Sequence, residues 1–262
     1  MGRVDGKVVV VTGAASGQGA AESIALAREG ARVVAGDLSS GVPEVLSQPV
    51  EPGTIEYRRL DVSQPDDWQA LGTWLGDRHG RVDGLVNNAG VAFRARLAEV
   101  ALDDWNRVLS VNLTGALLGI QTLAPLMTEG GSIVNVCSVA GLTGYHAAAY
   151  ATSKWALRGL SRVASLELGA AGIRVNAIHP GFIETPMTAS APPGFREANI
   201  AEAPLGRAGT VDDVAPLVVF LMSDESGFIT GVDIPVDGGL TGHGGARSLS
   251  DAVRAATSAG SG

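Results

Sequence analysis

The strongest constraint on this chain is its rhythm. Short, mainly apolar runs recur along it, at 8–11, 31–35, 55–60, 84–86, 132–136, 173–178 and 232–236. Between them lie longer stretches with apolar residues at helical spacing, at 17–28, 64–78, 103–127, 148–168 and 212–222. Strands with few polar positions, alternating with helices, predict a parallel sheet buried on both faces. A (β/α)₈ barrel competes for this pattern. It would want eight regular repeats and no phosphate loop after the first strand. About seven strands are legible, and such a loop is present. The expected fold class is therefore α/β: one Rossmann-like, doubly wound domain over residues 1–241, with a parallel sheet of about seven strands flanked by helices. The remainder, 242–262, is rich in Gly, Ser and Ala and reads as a frayed tail, with one weak amphipathic turn or two at Leu249, Val253 and Ala256.

Composition narrows the functional classes. With 45% hydrophobic and 18% charged residues, the chain is not a disordered one. A formal net charge of −8 argues against a general nucleic-acid binder, which needs basic surface to displace counterions. The lone cysteine, Cys137, cannot form an intrachain disulfide and reads as inert core. No apolar run approaches the roughly 20 residues that span a bilayer, and the first residues show no cleavage-site pattern. The expectation is a cytoplasmic protein without a membrane or nucleic-acid partner. His146 and His179 stand apart from any pair of carboxylates, and no metal spacing appears, so no metal is expected.

The first strand runs into Thr12-Gly13-Ala14-Ala15-Ser16-Gly17-Gln18-Gly19. A strand, a glycine turn and a helix start make an anion site, because backbone N–H groups and the helix N-terminus face the ligand and glycine lets it approach. Gly13, Ser16, Gly17, Gln18 and Gly19 are the candidate pyrophosphate cradle. The spacing is GxxxGxG and lacks the Lys-Ser/Thr of an ATP-type loop. Asp37 ends the second strand, where a carboxylate can accept hydrogen bonds from both ribose hydroxyls and repel a 2′-phosphate. Ser16 and Leu38 stand where a phosphate reader would need Arg or Lys. The cofactor expected on these grounds is NAD.

Downstream come Asn87-Asn88-Ala89-Gly90, then Ser138, then Tyr150-Ala151-Thr152-Ser153-Lys154. With the glycine loop, these motifs resemble the short-chain dehydrogenase/reductase family, over nearly the whole chain from Lys7 to Gly239. Within it, 150–169, 179–188 and Pro204-Leu205-Gly206-Arg207 are similar to bacterial 3α,20β-hydroxysteroid dehydrogenases. The resemblance implies that Asn112, Ser138, Tyr150 and Lys154 are catalytic, with Asn112 holding a water linked to Lys154. It also implies that Asp61, Val62, Asn88, Ala89, Gly90, Pro180, Gly181, Ile183 and Thr185 line the cofactor, together with Tyr150 and Lys154. A mobile substrate lid is implied over 187–203, and a homotetramer with the helix of Tyr150 at one interface. Ala156, Leu157, Leu160 and Ala164 lie on the face of that helix expected to pack there.

The chemistry of these residues stands beside the resemblance. A four-residue spacing puts Tyr150 and Lys154 on one helix face. Reducing a ketone needs a proton donor at its oxygen, and oxidising an alcohol needs a base there. A free tyrosine, with a pKa near 10, is a poor base at neutral pH; a nearby ammonium and the nicotinamide cation are expected to lower it. Only two of the 19 basic residues are lysines, Lys7 and Lys154. A chain that otherwise uses arginine thus keeps a compact cation beside Tyr150. Ser138, ending the fifth strand, can hydrogen-bond the substrate oxygen.

Phe93, Leu142, Tyr145, Phe182 and Met187, with Ser138 and Tyr150, are the candidate substrate wall. An apolar wall suits a hydrophobic secondary alcohol or ketone, hydroxysteroids among them. Two other readings compete: a ketoreductase of acyl or polyketide intermediates, which wants NADPH and a basic docking patch, and a NAD-sensing scaffold without turnover.

Overall fold

The computed structural model describes residues 2–259. Its centre is one seven-stranded sheet in the order β3-β2-β1-β4-β5-β6-β7, with every neighbouring pair parallel. The strands are β1 (Val8–Thr12), β2 (Arg32–Asp37), β3 (Thr54–Arg59), β4 (Gly84–Asn87), β5 (Gly131–Val136), β6 (Ile173–Pro180) and β7 (Asp233–Val236). The chain winds outward from β1 in one direction, returns to its other side at β4, and winds outward again. The crevice outside the carboxyl ends of β1 and β4 is the topological switch point where such sheets bind ligands.

The apolar runs at the centre of the sheet are explained by two buried faces. Val9 and Val11 of β1 join Val134, Val136 and Ile178 in a core covered by α1 (Gly17–Arg28) and α8 (Val211–Met222). Val8 and Val10, half a pleat away, join Leu85, Ile133 and Val175 on the opposite face. Trp68, Leu71 and Leu75 of α2 (Pro65–His79) and Ile120 and Leu123 of α4 (Gly115–Leu123) close that side.

Several features depart from the sequence reading. The helix expected over 103–127 is broken: α3 (Leu102–Leu109) and α4 are joined by a π turn, Ser110–Thr114, that holds Asn112. The helical stretch Leu102–Leu126, of mean hydropathy 1.3, is long and apolar enough by composition to cross a membrane, contrary to the expectation that no such run exists. In this fold it packs against α2, β4 and α5 (Ala148–Leu168). Strand β6 continues past Ile178, so His179 and Pro180 pair with Pro235 and Val236 on β7. Finally, the tail is not frayed. It forms α9 (Ala246–Ala259), tied at its root by His243 Nε2 to the Glu202 carbonyl at 2.8 Å and by Arg247 to the Ala203 carbonyl. The last residues of that tail, 260–262, lie outside the described residues.

Helix α5 is also turned differently from expectation. Leu157 and Ala164 are buried in the protein's own core, with Leu160 packed against it. The side of α5 left to solvent carries Trp155, Val163 and Leu166.

Candidate active site

The glycine turn is built before any ligand is considered. A Cβ on Gly13 would meet Ala89 Cα at 2.7 Å, and one on Gly19 would meet the Gly13 carbonyl oxygen at 2.3 Å. These two glycines therefore let the turn fold against its own backbone. Gly17 differs: it has φ of 56°, and its Cβ would meet nothing nearer than the Thr185 side chain at 3.5 Å. Thr12 locks the assembly, a role that sequence reading missed. Its hydroxyl donates to the Val86 carbonyl and accepts from the Asn88 and Ala89 N–H groups, at 3.2, 3.1 and 3.0 Å. The Asn88 side chain donates in turn to the carbonyls of Thr12 and Gly13. A small β-branched residue at a strand end carries no sequence signal for such a tie.

These residues fit a dinucleotide. Helix α1 begins at Gly17, its N-cap Ser16 makes no side-chain cap, and no acidic residue lies in its first turn. The first N–H groups of a helix have no intrahelical acceptor, so they stand available to an anion. The buried Gln18 Oε1 has no hydrogen-bond partner among the described residues. Asp37 accepts from the Ala15 N–H at 2.9 Å and the Leu38 N–H at 2.7 Å, which fixes its carboxylate beside the turn. Asp61 is engaged within its own loop by Ser63, and Val62 is buried against Gly115. Gly181 donates to the Val236 carbonyl, next to Pro180. Ile183 is buried with its carbonyl accepting from Thr188, and Thr185 caps α6 (Pro186–Ala189) across from Gly17.

At the end of β5 and the first turn of α5, the four expected side chains come together. Ser138 and Tyr150 stand together on the wall of one cavity, and Ser138 acts on the phenol there. The Lys154 ammonium lies 5.9 Å from the Tyr150 ring centroid and donates to the Val136 carbonyl at 2.8 Å. Gly90 lies against this group, because a Cβ there would sit 3.5 Å from Lys154 Nζ and 3.4 Å from Asn112 Oδ1. Asn112, buried in the π turn, accepts from the Val91 N–H at 2.8 Å and donates to the Val91 carbonyl and to Ser153 Oγ. Ser153 passes this on to the Tyr150 carbonyl at 2.7 Å. The π turn widens the helix where an amide must reach sideways, a pattern common at functional sites.

The electrostatics correct one expectation. Burial pushes the Tyr150 phenol above its ordinary value, and the hydrogen bond with Ser138 opposes this. Burial also lowers Lys154. Within the protein alone the phenol is thus raised, not lowered. Cys137 is pushed up to about 12 by burial and is no nucleophile.

His179 has a structural place that the sequence did not indicate. It is fully buried and lies 2.9 Å from Asp233 Oδ1, with its other nitrogen 2.9 Å from the Ser138 carbonyl. Burial raises Asp233, yet hydrogen bonds from Arg162, His179 and Arg158 outweigh it and hold the carboxyl at about 2. Among the described residues no cluster of three His, Cys, Asp or Glu side chains could hold a metal.

Above Ser138 and Tyr150 is a small cavity of about 90 Å³. Phe93, Tyr145, Phe182 and Met187 line it, as expected; Leu142 does not, because it follows the short turn Val139–Gly141 outside the cavity. Arg94, Phe195 and Asn199 line it as well, and sequence reading missed all three. The expected lid, 187–203, is not irregular. It holds the end of α6 and all of α7 (Phe195–Glu202), and Arg196 is paired with Glu184 at its base.

A parallel doubly wound sheet with a glycine turn at its switch point, and a Ser-Tyr-Lys group facing it, defines a dinucleotide-dependent oxidoreductase. The comparisons agree. A family model described as enoyl-(acyl carrier protein) reductase matches residues 13–241. The chain is 42% identical over 241 residues to a 3-alpha-(or 20-beta)-hydroxysteroid dehydrogenase of Mycobacterium bovis, covering 91% of this chain and 90% of the relative. It is 39% identical over 249 residues to trans-4-hydroxycyclohexanecarboxylate dehydrogenase of Sinomonas cyclohexanicum, covering 91% and 94%. A solved structure from Beutenbergia cavernae, described as an NAD(P)-dependent gluconate 5-dehydrogenase with bound NADP at low occupancy, superposes with a TM-score of 0.84 at 36% identity, over 91% of this chain and 98% of the other. The chain belongs to the short-chain dehydrogenase/reductase family. It is a dehydrogenase that uses NAD(P) and acts on alcohol groups.

Proposed function

We propose that this protein is an NAD-dependent dehydrogenase of hydrophobic cyclic secondary alcohols and the corresponding ketones. A nicotinamide dinucleotide held by the glycine turn and Asp37 would supply the hydride chemistry. Tyr150 gives or takes the proton at the substrate oxygen, and Ser138 hydrogen-bonds that same oxygen. Lys154 holds a positive charge beside the phenol and would be within the reach of a bound ribose, while Asn112 and Ser153 fix the first turn of the helix that carries both.

The observation that carries this reading is the joining of Ser138 and Tyr150 on the wall of a largely apolar cavity, with the Lys154 ammonium 5.9 Å from the Tyr150 ring centroid. Preference for NAD rests on Asp37 and Leu38. Arg59 lies beside Asp37 in register, but its guanidinium is held by Asp67 at 2.8 Å, so no free cation meets a 2′-phosphate there. Two of the relatives are named for ring alcohols, which supports a cyclic substrate. A ketoreductase of carrier-bound chains fits less well, since it wants a basic docking patch on a chain of net charge −8. A sensing scaffold would have no use for the Ser138–Tyr150 pair.

Assembly as a homotetramer in the cytoplasm belongs to this reading, with the exposed Trp155, Val163 and Leu166 of α5 as an apolar face. Light scattering that finds a monomer removes that part. The activity itself is tested with Tyr150→Phe. Turnover of a secondary-alcohol panel is lost while NAD still binds; full activity in the variant overturns the mechanism.

A further inference from the structure

The cavity above Ser138 and Tyr150 is uncharged in every lining side chain but one. Arg94 lies on its wall, half-buried. Its guanidinium donates to the Met187 carbonyl at 3.1 Å and to Ser190 Oγ at 3.3 Å. Both acceptors are neutral. Among the described residues no carboxylate lies within ion-pair distance of it, although most other arginines of the chain are paired. The charge is felt at the site, because it pulls both Tyr145 and Tyr150 downward against the effect of burial. A guanidinium has five N–H donors in a planar fork, and two neutral acceptors leave most of that fork unspent. A cation withdrawn from water toward an apolar cavity is normally matched by an anion.

We propose that Arg94 reads a carboxylate on the substrate, so that the preferred substrate is a small alicyclic hydroxy acid or keto acid. The carbinol end meets Ser138 and Tyr150, the ring lies against Phe93, Phe182 and Met187, and the acid end meets Arg94. The size of the cavity agrees. At about 90 Å³ it is well below the roughly 300–1,000 Å³ of sites that enclose drug-sized ligands. One ring with a carboxylate suits it better than a fused four-ring skeleton. Arg94 also bonds the segment that begins the lid, so an acid bound there joins the wall at 94 to the segment at 187–190.

This inference rests on the proposed dehydrogenase reading, and its test is made separable from it by measuring binding. Cyclohexanecarboxylate and cyclohexanecarboxamide are titrated calorimetrically into the protein with NADH bound, for the wild type, Arg94→Gln and Arg94→Lys. In the wild type the acid binds about tenfold or more tighter than the amide, as a charge-assisted pair requires. Arg94→Gln removes that preference and leaves amide binding within about threefold, and Arg94→Lys restores part of it. Equal affinity for acid and amide in the wild type, or an unchanged preference in Arg94→Gln, overturns the proposal. If Arg94 were only a latch for the lid, Arg94→Gln would weaken both ligands alike. Loss of turnover with retained acid preference would count against the dehydrogenase reading and leave the carboxylate site standing.

Discussion

The ring of His179 and the main-chain carbonyl of Ser138 are joined by a 2.9 Å hydrogen bond across β6 and the end of β5. A carbonyl oxygen only accepts, so Nδ1 carries a hydrogen. The other nitrogen faces the Asp233 carboxylate, which also only accepts. The ring thus bridges the Ser138 carbonyl and the Asp233 carboxylate through its two nitrogens. Arg158 and Arg162 hold the far oxygen of Asp233 from α5. The same helix carries Tyr150 and Lys154. Through Asp233 and His179, the strand end that places Ser138 is thus tied to the helix that places the phenol.

His179→Asn keeps a side-chain N–H within reach of the Ser138 carbonyl, whereas His179→Gln extends toward Asp233 and gives up that bond. We expect the Asn variant to retain kcat within about threefold. The Gln variant should lose about ten- to hundredfold in kcat with little change in the KM for NAD, the scale of effect that small misplacements produce. Steady-state kinetics, with Tm measured alongside, check this. Equal kcat in the two variants would show that the Ser138 contact does not position the serine.

Much of this site could be read from the sequence because its parts announce themselves by residue type. A lysine in an arginine-using chain, a tyrosine one turn before it and glycines after a first strand each carry a local signal. Helices α1 and α5 came out to the residue, since long apolar periodicity is a property of the segment alone. The parts that could not be read depend on partners distant in sequence. Thr12 matters because β4 lies beside it. His179 matters because β7, some 54 residues later, brings Asp233 to its ring. The π turn at Asn112 leaves the apolar spacing almost intact, so periodicity reads straight through it. The tail has too few apolar residues to predict α9, and its ties to Glu202 and Ala203 involve a His and an Arg that show no pattern of their own.

Gly19→Ala should be the more damaging of two substitutions in the turn. Its Cβ would press on the Gly13 carbonyl oxygen at 2.3 Å and on Asn88 Nδ2 at 2.5 Å, and backbone on one side cannot give way. Gly17→Ala makes only ordinary contact with the Thr185 side chain at 3.5 Å and pays for its left-handed φ, about 1–2 kcal/mol. Denaturant unfolding should rank Gly19→Ala below Gly17→Ala. NAD titration should show weakened binding in both, because either change disturbs the N–H groups at the start of α1. A Gly19→Ala protein as stable as wild type would contradict the packing described for the turn.

Cofactor choice can be moved at Asp37 and Leu38. Asp37→Ala with Leu38→Arg removes the carboxylate and adds a cation, and the ratio of kcat/KM for NAD over NADP should fall by about tenfold or more. Asp37 also accepts the Ala15 N–H, so the alanine variant disturbs the turn as well. Asp37→Asn with Leu38→Arg keeps an oxygen for that bond and isolates the effect of charge. An unchanged ratio in both double variants would remove Asp37 from the ribose site.

Glu22 supplies the last prediction, on stability against pH. It lies on the buried side of α1, and neither carboxyl oxygen has a hydrogen-bond partner among the described residues. Burial pushes it up from an ordinary 4.5 to about 8. Between these values the folded protein keeps a proton that the unfolded chain has released. The unfolded state is therefore favoured as pH rises through this window, and the stability present below about pH 4.5 is progressively lost by about pH 8. Each pH unit inside the window is worth up to about 1.4 kcal/mol from this one group. Glu22→Gln keeps the shape and removes the titration. Its Tm should fall less between pH 5 and 8 than that of the wild type, so that the two curves converge at the acid end and separate at the alkaline end. Parallel curves would mean that Glu22 finds a partner or water in solution and does not carry its proton through the neutral range.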